Sequence, residues 1–169
     1  MDALKEFLKW LALFAVVLVV QTTIIPKIAI FGISPDLLLI LLFVFSVQYG
    51  ATNGIWTGFS LGVLIDVFSA GILGANALAK TVIGATAGFF DRRNMAIDPI
   101  LQLIILLIMV ILHDVMIYIV NLVKGDANLL SELPMFVLVS AFPRAIYTTI
   151  VAVIIFMASE ILFPAKMRR

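Results

Sequence analysis

The sequence predicts an all-α integral membrane protein built as a bundle of six transmembrane helices. Hydrophobic residues make up 64% of the 169 residues and charged residues 12%, whereas about 25% of the residues in a soluble domain are charged. Long apolar runs recur along the chain, and short segments containing proline, glycine or charged residues separate them. This alternation predicts one polytopic domain over residues 1–169, with almost nothing left over for a soluble module.

The residues between the apolar runs indicate where the helices begin. The predicted helices cover 7–25, 36–49, 54–68, 76–90, 99–123 and 134–163. Pro35 precedes the second helix, Asn76 can cap the fourth, and Asp98 can cap the fifth. Pro143 is expected to kink the last helix, because proline lacks a backbone N–H. The first run has no Ala-x-Ala cleavage pattern behind it, which favours a retained helix over a signal peptide.

Basic residues in the loops predict that both termini lie in the cytoplasm. That orientation leaves only Lys27 and Lys124 outside. The basic residues placed inside are Lys5, Lys9, Arg92, Arg93, Lys166, Arg168 and Arg169. The second and third helices are short, roughly 21 to 23 Å against about 30 Å of hydrocarbon. They either span the membrane or form a re-entrant hairpin, and both arrangements leave every basic loop on the same side.

Glycines recur every four residues on the third and fourth helices. Gly54, Gly58 and Gly62 share one face of the third helix, and Gly84 and Gly88 share one face of the fourth. Small residues at this spacing let two helices approach closely in lipid. We expect the two faces to pack together, and we expect either these glycine surfaces or a groove beside them to accept the helix of a partner. Gly50 keeps the same register but follows the apolar run of the second helix, so it is expected to be a turn or C-cap glycine.

Charged residues inside the predicted spans are expected to form a polar cluster together with Asn76. They are Asp66, Lys80, Asp114 and Arg144. A charge at membrane depth is unfavourable by roughly 2.5 to 3.5 kcal/mol on insertion scales, so each one should face the bundle and find a partner. Their expected depths pair Asp66 with Lys80. By the same reasoning Asp114 pairs with Arg144. These pairs either only fix the register of the helices or bind a ligand or a partner directly.

His113 and Asp114 are adjacent in sequence, as in some catalytic couples. Neighbouring helical residues point about 100° apart and are not expected to face each other. We therefore expect His113 to be hydrogen-bonded inside the bundle. The sequence lacks the Gly-x-Ser-x-Gly, His-Glu-x-x-His and phosphate-loop motifs. No enzymatic activity, metal, cofactor or nucleic-acid partner is predicted.

Four segments together resemble the rod shape-determining protein MreD family. They are Ser-Pro-Asp-Leu-Leu-Leu at 34–39, the glycine register at 50–62, Leu-Gly-Val-Leu-Ile-Asp at 61–66, and Ser-Ala-Gly-Ile-Leu-Gly-Ala-Asn-Ala-Leu at 69–78. The resemblance implies a multi-pass protein of the bacterial inner membrane. Its implied role is that of a non-enzymatic scaffold or regulator of cell elongation, which supports sidewall peptidoglycan synthesis and cell shape.

The resemblance also implies partners. They are the bitopic protein MreC, whose transmembrane helix the chain would bind, the actin-like MreB filament, and the RodA glycosyltransferase with its penicillin-binding transpeptidase. The family is similar in fold to the S-components of energy-coupling-factor vitamin transporters, so a substrate-capture subunit is the alternative. Such subunits usually dock through an Ala-x-x-x-Ala face on the first helix. Here Ala12 and Ala15 lack that spacing, which favours the scaffold.

Overall fold

The computed structural model describes residues 2–69, 71–90, 98–122 and 129–162, and these residues form a helical protein. The helices are α1 (Asp2–Thr23), α2 (Leu37–Tyr49), α3 (Ala51–Phe68), α4 (Ala75–Phe89), α5 (Pro99–Leu122), α6 (Leu129–Phe136) and α7 (Phe142–Leu162). A 3₁₀ turn at Ile25–Ile28 follows α1, and a π-helical turn at Val137–Ala141 joins α6 to α7 without a break. Six helical rods result within the described residues, which confirms the all-α prediction.

Most helix limits lie close to the predicted ones, and the departures have local causes. The turn between α2 and α3 is a single residue, Gly50, with a φ of 86°. Its N–H donates to the carbonyl of Ser46 at 2.8 Å, which confirms the predicted turn glycine. Because the turn is this tight, α3 begins at Ala51 and not at Gly54. Several predicted positions lie outside the described residues, namely Val123, Lys124, Phe163 and the basic residues at 92, 93, 166, 168 and 169.

The last helical rod differs from prediction at both of its prolines. It begins at Leu129, so Pro134 lies inside α6 and does not open the helix. Pro143 follows the π-helical turn at Val137–Ala141. Proline cannot donate to the carbonyl four residues earlier, here that of Val139, and a wider turn accommodates that loss. The irregularity predicted at Pro143 is therefore a π-helical turn just before it.

The outside of the bundle is apolar, and its inside contains charge. Within the described part of the chain, residues 99–121 of α5 and 131–156 of the last rod are long and apolar enough to cross a membrane, while α2 is apolar but shorter. The fully buried side chains include that of Lys80, which is 1% exposed. Large apolar residues such as Trp56, Phe59 and Ile108 point outward. A soluble domain has the opposite arrangement, and lipid is the solvent that suits this one.

α4 lies at the centre of the packing, with α3, α2 and α5 against it. Its tightest contact is with α3, where glycines of one helix meet backbone of the other. Gly54 and Gly84 each lie against the other's carbonyl, and Gly58 lies against the carbonyl of Lys80. Gly62 meets the backbone of Ala77, and Gly88 meets that of Ala51. The predicted glycine faces therefore pack on each other within the chain.

Candidate functional site

The site begins at Asp36, where the segment after the 3₁₀ turn enters α2. Its Oδ1 accepts the N–H of Leu39 at 2.8 Å, which makes Asp36 the N-cap of α2. Its own N–H donates to the hydroxyl of Thr148 on α7 at 3.3 Å. The other carboxylate oxygen, Oδ2, accepts from Nζ of Lys80 at 3.0 Å. One capping residue thus joins α2, α4 and α7.

From Lys80 the contacts continue across the bundle to α5 and α7. Nζ of Lys80 lies 3.5 Å from Nε2 of His113, and Nδ1 of the same ring lies 3.2 Å from Oδ1 of Asp114. Nη1 of Arg144 reaches that Oδ1 at 3.3 Å, and Nε of Arg144 donates to the carbonyl of Ser34 at 3.1 Å. We call the series Asp36, Lys80, His113, Asp114 and Arg144 the polar network. Its two carboxylates balance its two fixed cations, so with His113 neutral it carries no net charge.

At Arg144 the polar network opens into a cavity of about 300 Å³. Asp114 and Arg144 supply its charged wall. The remaining lining comes from the turn after the 3₁₀ segment and from the end of α6 with the π-helical turn, namely Phe31, Gly32, Ile33, Ser34, Phe136, Val139 and Ser140. Asp114 is 5% exposed at its side chain and Arg144 is 35% exposed, so the arginine is the charge that the cavity presents.

A tight turn forms one wall of this cavity. Ile30 and Ile33 exchange two backbone hydrogen bonds, at 2.9 and 3.0 Å. The two residues between them have positive φ, 51° at Phe31 and 80° at Gly32. Phe31 is fully exposed in this left-handed conformation, which bulky residues rarely adopt. The turn therefore holds an aromatic ring at the edge of the cavity at some expense in backbone energy.

The comparisons with known proteins bear on this arrangement. Residues 1–165 match the family model of the rod shape-determining protein MreD. The chain belongs to the MreD family. Its role is therefore in rod shape determination, in a family of membrane proteins that is not a known enzyme family. Comparison with curated proteins and with solved structures gave no match, and the alternative of a vitamin-transporter subunit gains no support.

The pairing of Asp66 with Lys80, which the residues' depths suggested, is wrong. The Asp66 carboxylate accepts the backbone N–H of Gly74 at 2.9 Å, of Asn76 at 3.1 Å and of Ala77 at 3.0 Å. It also accepts Nδ2 of Asn76 at 2.9 Å. The first N–H groups of a helix have no partner within the helix and carry its partial positive charge. Asp66 satisfies those of α4 from the neighbouring helix, which leaves Lys80 to Asp36.

The other expectations about the polar residues have mixed outcomes. Asp114 and Arg144 do pair, as predicted, through one carboxylate oxygen. His113 is buried and hydrogen-bonded inside the bundle, which confirms the expectation for it. The expectation that His113 and Asp114 do not face each other is wrong, because Nδ1 of His113 lies 3.2 Å from Oδ1 of Asp114. Asn76 does not cap α4, since the N-cap is Gly74, whereas Asp98 does cap α5 by accepting the N–H of Ile100 at 3.2 Å.

Sequence reasoning missed Asp36, Ser34 and Thr148 as members of the site. Asp36 carries a signal that would have found it, since Ser34-Pro35-Asp36 before an apolar run is an N-cap pattern with a carboxylate at its end. The carbonyl of Ser34 and the hydroxyl of Thr148 carry no such signal. Their roles depend on how the segment 24–36 lies against α7, and the hydrophobic periodicity of the sequence does not predict that packing.

Proposed function

We propose that the chain is a non-enzymatic scaffold or regulator of the bacterial cell-elongation complex, spanning the inner membrane several times with both termini inside. In this role it binds the transmembrane helix of MreC and supports sidewall peptidoglycan synthesis. RodA with its penicillin-binding transpeptidase and the MreB filament belong to the same assembly in this proposal, with no direct contact assigned. The observation that carries the proposal is the family match over residues 1–165.

The chemistry of the interior supports a role without catalysis. A membrane enzyme needs several polar groups free to act at one depth. In the polar network each carboxylate already accepts from a cation and each cation already donates to a carboxylate. A set in which every fixed charge has an opposite charge beside it suits the positioning of α2, α4, α5 and α7 relative to one another.

We place the partner helix on the outward stripe of α3, not on the glycines, because α4 already covers the glycine face. This stripe consists of Trp56, Phe59, Val63 and Val67, spaced by three and four residues along the helix. All four are exposed, with Trp56 at 68% and Phe59 at 48%. Apolar anchors at this spacing are how one helix recognises another along a groove. The opposite face of α3 packs closely against α4 through the glycine contact. The stripe therefore lies on a helix whose position is well fixed.

Affinity purification in mild detergent tests the partner. We expect the tagged chain to recover a bitopic protein with a large extracytoplasmic domain, and recovery of paired ATPases would overturn the proposal. Alanine at both Trp56 and Phe59 should reduce that recovery severalfold. The matched control is alanine at both Ile104 and Ile108, which are similarly exposed on α5. Equal loss in the two double variants would remove the α3 stripe from the proposal.

Labelling of single cysteines tests the topology without background, because the natural chain has no cysteine. Lys27→Cys should react with a membrane-impermeant maleimide in intact spheroplasts, and Lys5→Cys only after the membrane is opened. Thr52→Cys, just after the Gly50 turn, separates the two arrangements of α2 and α3. Six spans place it at the inner surface, where it reacts once the membrane is opened. A re-entrant hairpin leaves it unreactive from both sides.

A further inference from the structure

The cavity beside Arg144 has the chemistry of a binding site for an anion that carries an apolar tail. In the described part of the chain, Arg144 makes two hydrogen bonds, Nε to the carbonyl of Ser34 and Nη1 to Asp114. A guanidinium has five N–H donors in a fork that matches phosphate and carboxylate oxygens. Three donors therefore remain for a ligand, on a side chain that is 35% exposed.

The contact between Arg144 and Asp114 leaves this capacity intact. Its distance of 3.3 Å is longer than the 2.7 to 2.9 Å of a strong charge-assisted bond. It also uses a single carboxylate oxygen, Oδ1, which His113 contacts as well. The pair is therefore not the bidentate fork that would occupy the whole guanidinium. Asp114 holds Arg144 in place and leaves its outward edge available.

The walls of the cavity define the rest of the ligand. Phe31, Phe136 and Val139 line it, and Phe31 and Val139 extend to the outside of the bundle, with Val139 53% exposed. A cavity of about 300 Å³ is at the lower end of ligand sites, which range from about 300 to 1,000 Å³. It is large enough for an anionic headgroup and its first carbons. The rest of an apolar tail would continue along the apolar exterior.

The backbone around the cavity is irregular on two sides. The π-helical turn at Val137–Ala141 supplies Val139, and the left-handed turn supplies Phe31. π-helical turns are frequent at functional sites, and left-handed bulky residues persist only where the surroundings hold them. Both irregularities lie at this one cavity.

We propose that this cavity binds the phosphate group of an amphiphile. Arg144 would bind the phosphate, and Phe31, Phe136 and Val139 would contact the first carbons of the ligand's apolar tail. Phosphate on a membrane lipid and free phosphate share this chemistry. The site is a property of the isolated chain. Its test therefore has an outcome independent of whether the chain binds MreC.

The experiment uses the purified full-length chain in a neutral detergent. The probes are dioctanoyl phosphatidic acid, dioctanoylglycerol with the same tails and no phosphate, and inorganic phosphate. Binding is measured by native mass spectrometry and by the shift of the unfolding temperature. Saturable binding of the phosphatidic acid with at least about tenfold preference over dioctanoylglycerol is expected, since hydrogen bonds to a charged group contribute this much. Equal binding of the two would overturn the proposal.

Three variants locate the site. Arg144→Gln should weaken phosphatidic acid binding about tenfold or more. Val139→Trp fills the cavity while keeping both charges, so its loss of binding does not depend on how well Arg144→Gln folds. Lys27→Gln removes an exposed cation that does not line the cavity, and it should bind like the natural chain. Natural binding in both cavity variants, or equal loss in Lys27→Gln, would overturn the assignment.

Inorganic phosphate identifies the source of the anion. Competition with phosphatidic acid at millimolar phosphate, lost in Arg144→Gln, assigns the site to the phosphate group itself, free or on a lipid. Binding of phosphatidic acid without such competition assigns it to a lipid whose tail is required. Both results support the proposal. Competition that persists unchanged in both cavity variants would place the anion elsewhere and overturn it.

Discussion

The α3–α4 interface and the polar network place opposite chemistry on the same helix. Toward α3, α4 presents backbone, and the contact consists of glycines against carbonyls and Cα atoms. Toward α2 and α5, it presents the Lys80 side chain, which is buried between Asp36 and His113. The first contact depends on the absence of side chains, and the second on one long charged side chain. Lys80 takes part in both, since its carbonyl meets Gly58.

These two kinds of contact hold the protein together in lipid, where apolar burial does not drive helix association. Close backbone approach supplies dispersion and weak contacts in one place, and ion pairing supplies specificity in another. The glycine contact tolerates no added atom. The polar network tolerates exchange only where water or a neighbour can replace the lost partner. Substitutions in the two regions should therefore differ in size and in whether a second substitution can rescue them.

The largest effect is expected from Lys80→Met, which leaves the Asp36 carboxylate buried without its cation. Breaking a buried ion pair by removing one partner typically lowers the free energy of unfolding by about 3 to 5 kcal/mol. Reversible unfolding in mixed detergent micelles measures it. Asp36→Asn added to Lys80→Met should recover much of the loss, and Lys27→Met, an exposed lysine, should show none. Failure of the second substitution to rescue would mean that Lys80 acts mainly through packing.

The next effect is expected from Gly58→Ala. The added Cβ would overlap the carbonyl of Lys80, and backbone on both sides cannot move aside as a flexible side chain would. We expect the free energy of unfolding to fall by roughly 3 kcal/mol, the upper part of the overpacking range. Gly71→Ala is the matched control, because its nearest neighbour would be the Ser69 hydroxyl oxygen at 3.5 Å. Similar stability of the two variants would contradict a tight α3–α4 contact.

A smaller effect is expected from Asp66→Asn, which removes the charge from a carboxylate that accepts four hydrogen bonds. Bonds to a charged group contribute about 1.5 to 3 kcal/mol, and three of the four donors here are backbone N–H groups that remain in place. The double variant with Lys80→Met also tests the corrected pairing. The two losses should add within about 0.5 kcal/mol, because the side chains are not partners. A large non-additive term would restore the pairing of Asp66 with Lys80.

The smallest effect on stability is expected from Arg144→Lys. The partly exposed charge is kept, while the planar guanidinium fork and the hydrogen bond from Nε to the Ser34 carbonyl are lost. We expect a loss of about 1 kcal/mol or less in the free energy of unfolding, because solvent screens and replaces part of the contact. A loss as large as that of Lys80→Met would show that Arg144 belongs to the buried part of the polar network.

Much of the fold could be predicted because its signals are local or periodic. Apolar runs and the residues at their ends identify the helices. The position of Gly50 directly after an apolar run predicts a turn. The glycine register predicts the α3–α4 contact because a four-residue period puts small residues on one face of each helix. Asp114 and Arg144 could be paired because both lie at similar predicted depth on the last two helical rods.

The rest of the site depends on helix rotation and on segments between helices. Asp66 and Lys80 were matched by depth, but Asp66 finds the free N–H groups of α4 closer at hand. Lys80 and Asp36 are 44 residues apart, and their contact requires α2 and α4 to turn the right faces together. The pattern of residues along the chain does not show how α2 and α4 are rotated about their axes. The π-helical turn and the wall at Phe31 likewise reflect how the chain closes around the cavity.

Composition, helical period and motifs were enough to predict a helical membrane protein of the MreD family with a glycine-packed helix pair, because they are properties of the chain alone. The tertiary structure was needed to show that Asp36, and not Asp66, pairs with Lys80. A buried charge takes the nearest partner in three dimensions. That partner depends on the height and rotation of helices distant in sequence, and here it joins Asp36 to Lys80 and brings Arg144 to the edge of a cavity.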